Sequence, residues 1–381
     1  MSKRANGEGS VYQRKDGRWS GATYVLQPDG GRRRRQVYGA TRTEVSKQLA
    51  ELKAKTDRGI PASISTWTVE SYSAHWLANT AHGSLKPATV ANYSWMMRKH
   101  IVPALGRVRL DSLTPAHVRE LHTKVGAAGV SSRTVQLAHA VLRTMLSEAM
   151  REQVVARNVA SLVRTPRVER ADVTPWTPDE AAAFLDANRG DQYVHLYSTA
   201  LALGMRKGEL LALRWADVDL DVRELRVRQT VQRLGAGQGM VIGTPKTARS
   251  RRTIPLPQLA IDSLMARRRA QLVDQQLAGN RWTDNGLVFT TSIGTIIEPT
   301  NLRRSFDAAI ARAGVRRIRF HDLRHTCASL LLAEGVPMRV VMEILGHSAM
   351  AITSDIYSHV MPSALTNAAA AIDKAFTRAD S

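Results

Sequence analysis

The apolar residues change period twice along the chain, and this limits the fold more than any other feature. Up to about Gly39 they fall in short strand-like runs. Gly9 to Arg14, Arg18 to Leu26 and Arg32 to Gly39 read as three short strands. The turn signals Lys15-Asp16-Gly17 and Pro28-Asp29-Gly30-Gly31 separate them. Thr41, with Glu44 three residues on, predicts a capped helix running to about Asp57. From about Ser65 to Val163 the period becomes helical. Candidate helices cover residues 66–79, 86–100, 114–125 and 131–153. The last carries an apolar stripe of Val135, Ala138, Val141, Leu142, Met145, Leu146 and Ala149. Beyond a polar linker at 164–172 the period is mixed. Helices are expected at 178–188, 191–203, 206–213, 257–275 and 299–313, with strands at 224–233, 240–245, 251–256 and 287–290. Helical segments at 321–334, 337–345 and 349–357 follow.

The expected fold class is therefore multidomain α+β. A small three-stranded sheet plus helix occupies residues 1–62, and an all-helical domain occupies 65–163. A mixed, mainly helical domain with a small antiparallel sheet occupies 172–381. A length of 381 residues fits two or three domains. A hydrophobic content of 44% lets each bury a core.

The chain carries 54 Lys and Arg against 33 Asp and Glu, a net charge of +21. That excess predicts a polyanionic partner, nucleic acid above all. Residues 1–62 are especially basic, with Arg32, Arg33, Arg34 and Arg35 in a row on the third expected strand. A strand alternates its faces, so these four cannot all point one way. A small sheet with arginines on its open face can enter a DNA major groove. Trp19 on the same sheet, and Lys86 and Arg133 on the helical part, are further candidate DNA contacts.

Other classes are disfavoured. No apolar run approaches the roughly 18 residues of a membrane helix. Met1-Ser2-Lys3-Arg4 lacks the apolar stretch of a signal peptide behind it. Cys327 is the sole cysteine, so an internal disulfide and a cysteine-based zinc finger are both excluded. That usage suits a reducing cytoplasm. His321 and His325 have a spacing that metal sites use, but no His-Glu-x-x-His accompanies them, and no metal or other cofactor is expected. A Gly-x-x-x-x-Gly-Lys-Ser/Thr loop is absent, so nothing points to ATP.

The C-terminal part holds sparse motifs in a fixed order. Leu203-Gly204-Met205-Arg206-Lys207-Gly208-Glu209-Leu210 comes first, with Arg206 and Glu209 close enough to face one cleft. Thr244-Pro245-Lys246 and the following basic run to Arg252 read as a hairpin, with Lys246 at the end of its first strand. His321-Asp322-Leu323-Arg324-His325 opens a helix, Leu345-Gly346-His347 follows, and Tyr357 lies ten residues on. These side chains suit attack on a phosphodiester. Two arginines can clamp its non-bridging oxygens while staying charged. That stabilisation grows toward the transition state. A tyrosine can be the nucleophile if a histidine takes its proton, and a lysine can protonate the departing oxygen.

In this order the motifs resemble the tyrosine recombinase family, in particular its phage-type integrases. The resemblance implies that Arg206 and Arg324 clamp the phosphate and that Lys246 is the general acid on the leaving oxygen. It implies that His321 is a general acid/base, that His347 hydrogen-bonds the phosphate and that Glu209 supports the site. Tyr357 becomes the nucleophile of a 3′-phosphotyrosine intermediate. Residues 1–62 become an arm-type DNA-binding domain, 65–163 a core-binding domain and 172–381 the catalytic domain. The implied partners are double-stranded DNA at core and arm attachment sites and a homo-tetramer that forms a Holliday junction. A DNA-bending protein and an excision or directionality factor are further partners, and no membrane is involved. The place of action is the bacterial cytoplasm, at the nucleoid. An amphipathic tail after Pro362 (Leu365, Ala368, Ala369, Ile372, Phe376) is expected to dock on a neighbouring protomer. The competing readings are a type IB topoisomerase and a non-catalytic DNA-binding regulator.

Overall fold

Alternation and turn glycines produce the expected N-terminal sheet. Strands β1 (Ser10–Gln13), β2 (Trp19–Leu26) and β3 (Arg32–Gly39) pair antiparallel with β2 in the centre. Gly17, with φ +81°, makes the first turn, a conformation glycine adopts without strain. Helix α1 (Arg42–Asp57) starts where Thr41 Oγ1 accepts the Glu44 N–H. It packs on one sheet face through Val45 and Leu49. Gly21 allows that approach, since a Cβ there would lie 2.6 Å from Leu49 Cδ1.

The computed structural model describes residues 10–26, 31–57, 67–168, 174–233, 239–245 and 250–346. Contacts divide the chain into two units, Met1–Glu169 and Arg170–Ser381.

In the first unit, α2 (Val69–Trp76) starts at a Thr68–Ser71 capping box and runs on through a wider turn, Leu77–Ala81. Helix α3 (Pro87–Met96) has proline in its first turn, where no N–H is needed. Helix α4 (Pro115–Ala127) is capped by Thr114 and α5 (Ser132–Arg151) by Ser131. The whole predicted stripe of α5, Val135 to Ala149, is buried. It packs in one core with Val69, Tyr72, Trp76, Met96, Ile101, Val118 and Leu121.

In the second unit, helices α6 (Pro178–Ala187), α7 (Val194–Leu203) and α8 (Lys207–Leu211) precede strands β4 (Val218–Asp219), β5 (Glu224–Val227), β6 (Thr230–Arg233), β7 (Met240–Gly243) and β8 (Arg252–Pro255). Helices α9 (Gln258–Ala278), α10 (Pro299–Ala313), α11 (Asp322–Ala333) and α12 (Met338–Leu345) follow. Trp176, Phe184, Tyr197 and Phe306 centre its main core. None of the described helices is long and apolar enough to cross a membrane.

Three expectations change here. The strand predicted over 224–233 is two strands in different sheets, β5 in the order β4-β5-β8 and β6 paired with β7. Gln229 sits at the break and donates to the Ala212 carbonyl. That run contains no glycine or proline, so nothing in it marks a break. Among the described residues, the strands of the hairpin expected between 240–245 and 251–256 do not pair with each other: β7 pairs with β6 and β8 with β5. Residues 287–290 make only isolated bridges, Arg214 to Leu287 and Thr290 to Ile296. The helix expected at 349–357 and the tail after Pro362 lie outside the described residues.

Leu142 is fully buried at the centre of the first unit's core. Leu142→Ala should lower that unit's unfolding free energy by about 2–5 kcal/mol, read by urea denaturation.

Candidate active site

Arg206 sits at the N-cap of α8 with extended backbone, and Glu209 three residues on reaches back to it. Glu209 Oε2 accepts the Arg206 backbone N–H at 3.2 Å, and Oε1 accepts Nη1 of the Arg206 guanidinium at 2.7 Å. This short helix approaches β6 closely. A Cβ on Gly208 would lie 2.6 Å from the Val231 carbonyl oxygen. Glu209 is buried, which opposes its ionisation more than any other single influence. Arg252 and Arg206 outweigh that and hold its carboxyl below the ordinary value.

Arg252 is the second partner of Glu209, donating Nη2 to Oε2 at 3.1 Å. Its side chain is only 7% exposed. In the sequence it stands in a basic run from Arg249 whose members look alike. The missed signal is strand alternation: Arg252, Ile254 and Leu256 share one parity, and the last two are core residues.

All three arginines of the site converge on the last carbonyls of α12. Arg252 Nε donates to Ile344 O at 2.5 Å, Arg324 Nη2 to Leu345 O at 2.6 Å and Arg206 Nη2 to Gly346 O at 2.7 Å. A helix leaves its final carbonyls without internal partners and gathers partial negative charge there. Three guanidinium groups answer both needs. Arg324 also donates Nη1 to Gly204 O at 2.7 Å, so it joins the ends of α7 and α12. Both helices end in a left-handed glycine, Gly204 (φ +56°) and Gly346 (φ +67°). A Cβ on Gly204 would strike Leu345 Cδ2 at 2.3 Å, so only glycine lets these ends meet. Burial, then the charges of Arg206 and Arg252, lowers the pKa of Arg324 to about 9, which leaves it charged at neutral pH.

His321 stands at the N-terminal end of α11, one turn before Arg324, without a capping side-chain hydrogen bond. The residue is exposed to solvent, yet protein lies close around its ring. That crowding, with His325 and Arg324 alongside, holds its pKa below the ordinary histidine value, and the ring is neutral at pH 7. The His325 ring stands edge-on to it, centroids 5.4 Å apart. A neutral imidazole with an exposed edge can accept a proton.

Arg206, Glu209 and Arg324 are thus brought together, with His321 one turn from Arg324. Lys246, His347 and Tyr357 lie outside the described residues.

The candidate DNA contacts lie elsewhere. Register sets Arg34 beside Tyr24 and Arg32 beside Leu26 on the sheet face turned away from α1. Tyr12, Tyr24 and Tyr38 on that face are all exposed. Arg33, Arg35 and Trp19 share the opposite parity, the side that α1 covers, and Arg42 lies over the Trp19 ring at 6.0 Å. Lys86 is exposed at the N-cap of α3. Arg133 lines a groove of about 900 Å³ with Arg143, Arg151 and Arg164.

The second unit thus gathers three arginines and a buried carboxylate at one helix end, a cationic cluster whose guanidinium groups are suited to binding a phosphate. Comparison with known proteins makes the class specific. Residues 177–363 match the phage integrase family, and residues 68–125 match the phage integrase N-terminal SAM-like domain. An integrase of Saccharopolyspora erythraea is 30% identical over 95% of each chain. An integrase of Streptomyces ambofaciens is 30% identical over 99% of this chain and 98% of its own. The fold is similar to the Tn1549 transposon integrase in complex with transposon right end DNA (TM-score 0.68, 20% identity, 80% of this chain and 100% of that one). It is also similar to a lambda integrase tetramer bound to a Holliday junction (TM-score 0.57, 17% identity, 93% and 96%). The chain belongs to the phage integrase family of tyrosine recombinases, which makes it a DNA breaking-and-rejoining enzyme.

Removing Arg252 leaves Glu209 buried with one partner and frees the Ile344 carbonyl. Arg252→Gln should destabilise the second unit by about 3–5 kcal/mol, read by denaturant unfolding, with partial rescue by Arg252→Lys.

Proposed function

We propose that the protein is the site-specific integrase of a phage or integrative element and that it exchanges DNA strands through a 3′-phosphotyrosine intermediate. The observation that carries this reading is the convergence of Arg206 and Arg324 on one helix end, immediately before the segment bearing His347 and Tyr357. The names of its relatives, integrases of mycobacterial phages among them, support it.

In this mechanism Arg206 and Arg324 exchange carbonyl partners for the non-bridging oxygens of the scissile phosphate, and His347 adds a hydrogen bond. Tyr357 Oη attacks phosphorus while His321 takes its proton. The bond from phosphorus to the 5′ oxygen breaks, and Lys246 protonates that oxygen. The covalent phosphotyrosine conserves the bond energy, so a 5′-hydroxyl from the partner duplex can reseal the strand without nucleotide or metal. Glu209 holds Arg206 in place throughout. Two rounds of exchange by a homo-tetramer make and resolve a Holliday junction, and the tail after Pro362 links neighbouring protomers. The lambda integrase tetramer bound to a Holliday junction supports that assembly.

Residues 1–62 would bind arm-type sites, with Arg32, Arg34 and the exposed tyrosines as their DNA face. Residues 65–163 and 172–381 would hold the core site, with Arg133 and Lys86 on the phosphate backbone. Such bivalency raises the effective concentration at the core site. A DNA-bending protein and a directionality factor would complete the assembly, which would act at the nucleoid in the bacterial cytoplasm.

A nicked suicide duplex carrying the element's attachment junction tests this reading. The wild-type protein should become covalently attached, and Tyr357→Phe should bind without attachment. Attachment that persists in the Phe variant would remove Tyr357 from its role.

A further inference from the structure

A cavity of about 810 Å³ opens on the second unit beside His321. Four cations line it: Lys207, Arg303, Arg317 and Arg319. Two carboxylates answer them, and both are already engaged. Asp307 lies 3.6 Å from Arg317, and Asp322 lies 2.8 Å from Arg319. Among the described residues, the side chains of Lys207 and Arg303 have no hydrogen-bond or ion-pair partner. They are near enough that Arg303, after burial, depresses the Lys207 pKa. Lys207 is half-buried and Arg303 is exposed at the mouth of the cavity, so an anion entering there would meet two like charges that no carboxylate already answers.

The position identifies the anion. Lys207 follows Arg206 directly in the chain, and His321 lines the same cavity. The cavity is therefore lined by the chain neighbour of Arg206, which is assigned to the scissile phosphate, and by His321, which is assigned to the tyrosine proton. Successive phosphates on one DNA strand follow at about 3.4 Å of helical rise, so clamping one brings its neighbour within reach. Resting on the recombinase reading, we propose that Lys207 and Arg303 form a second phosphate subsite, which holds the backbone phosphate next to the one cleaved. It fixes the register of the strand, so that a single phosphate falls between Arg206 and Arg324.

The test uses the full chain and a duplex carrying the element's attachment junction. Noncovalent affinity is measured across a range of salt for wild type, Lys207→Gln, Arg303→Gln and the double variant. Each single change should reduce the slope of log affinity against log salt by about 1. Lys207→Arg should retain the wild-type slope. Methylphosphonate is then placed at one phosphate at a time around the cleavage point. At one position neighbouring the scissile phosphate, the neutral linkage should weaken wild type and leave the double variant unaffected. An unchanged salt slope, or equal losses for wild type and double variant at every position, would overturn the subsite. Failure of the underlying recombinase reading looks different: wild type would then form no covalent complex with the suicide duplex, whatever its salt slope.

Discussion

The C-terminal end of α12 organises the second unit. Ile344, Leu345 and Gly346 present three consecutive carbonyls, and three arginines from three separate elements occupy them. Each arginine is fixed at a second point: Arg252 and Arg206 on the Glu209 carboxylate, Arg324 on the Gly204 carbonyl. Segments more than a hundred residues apart in sequence are thereby tied at one place. Cations at a helix C-terminus are favourable by themselves. Here they also face one another, and the buried Glu209 offsets part of their repulsion. The surplus positive charge that remains suits a site built to receive a phosphate.

The two Leu-Gly pairs have one physical meaning. Leu203-Gly204 ends α7 and Leu345-Gly346 ends α12, each through a left-handed glycine. The ends meet because Gly204 has no Cβ, and Arg324 closes the junction between them. The chain then leaves Gly346 directly into His347. The geometry that satisfies the helix end thus also sets where the following segment begins.

Much of this was legible in the sequence, for reasons that vary with the element. The N-terminal strands follow from the turn signals between them, and the α5 stripe follows from its period because one face of that helix is buried. Arg206, Glu209 and Arg324 were found from their order in a motif set, and their grouping needed the fold. Arg252 was hidden in a run of basic residues that composition cannot sort; its strand parity with Ile254 separates it. The unmarked break between β5 and β6 was invisible, because alternation continues across it while the partner strand changes. Arg32 to Arg35 divide between two faces as alternation requires, but which pair faces away from α1 depends on where that helix docks.

The arginine-lined site is proposed to deliver one phosphate to one tyrosine. Trapping the wild-type protein on a suicide duplex, digesting it with protease and nuclease, and sequencing the nucleotide-bearing peptide by mass spectrometry tests this most directly. The expected result is a nucleotide 3′-phosphate on the Tyr357 side chain. A nucleotide on any other residue, or linkage through a 5′-phosphate, would contradict the account.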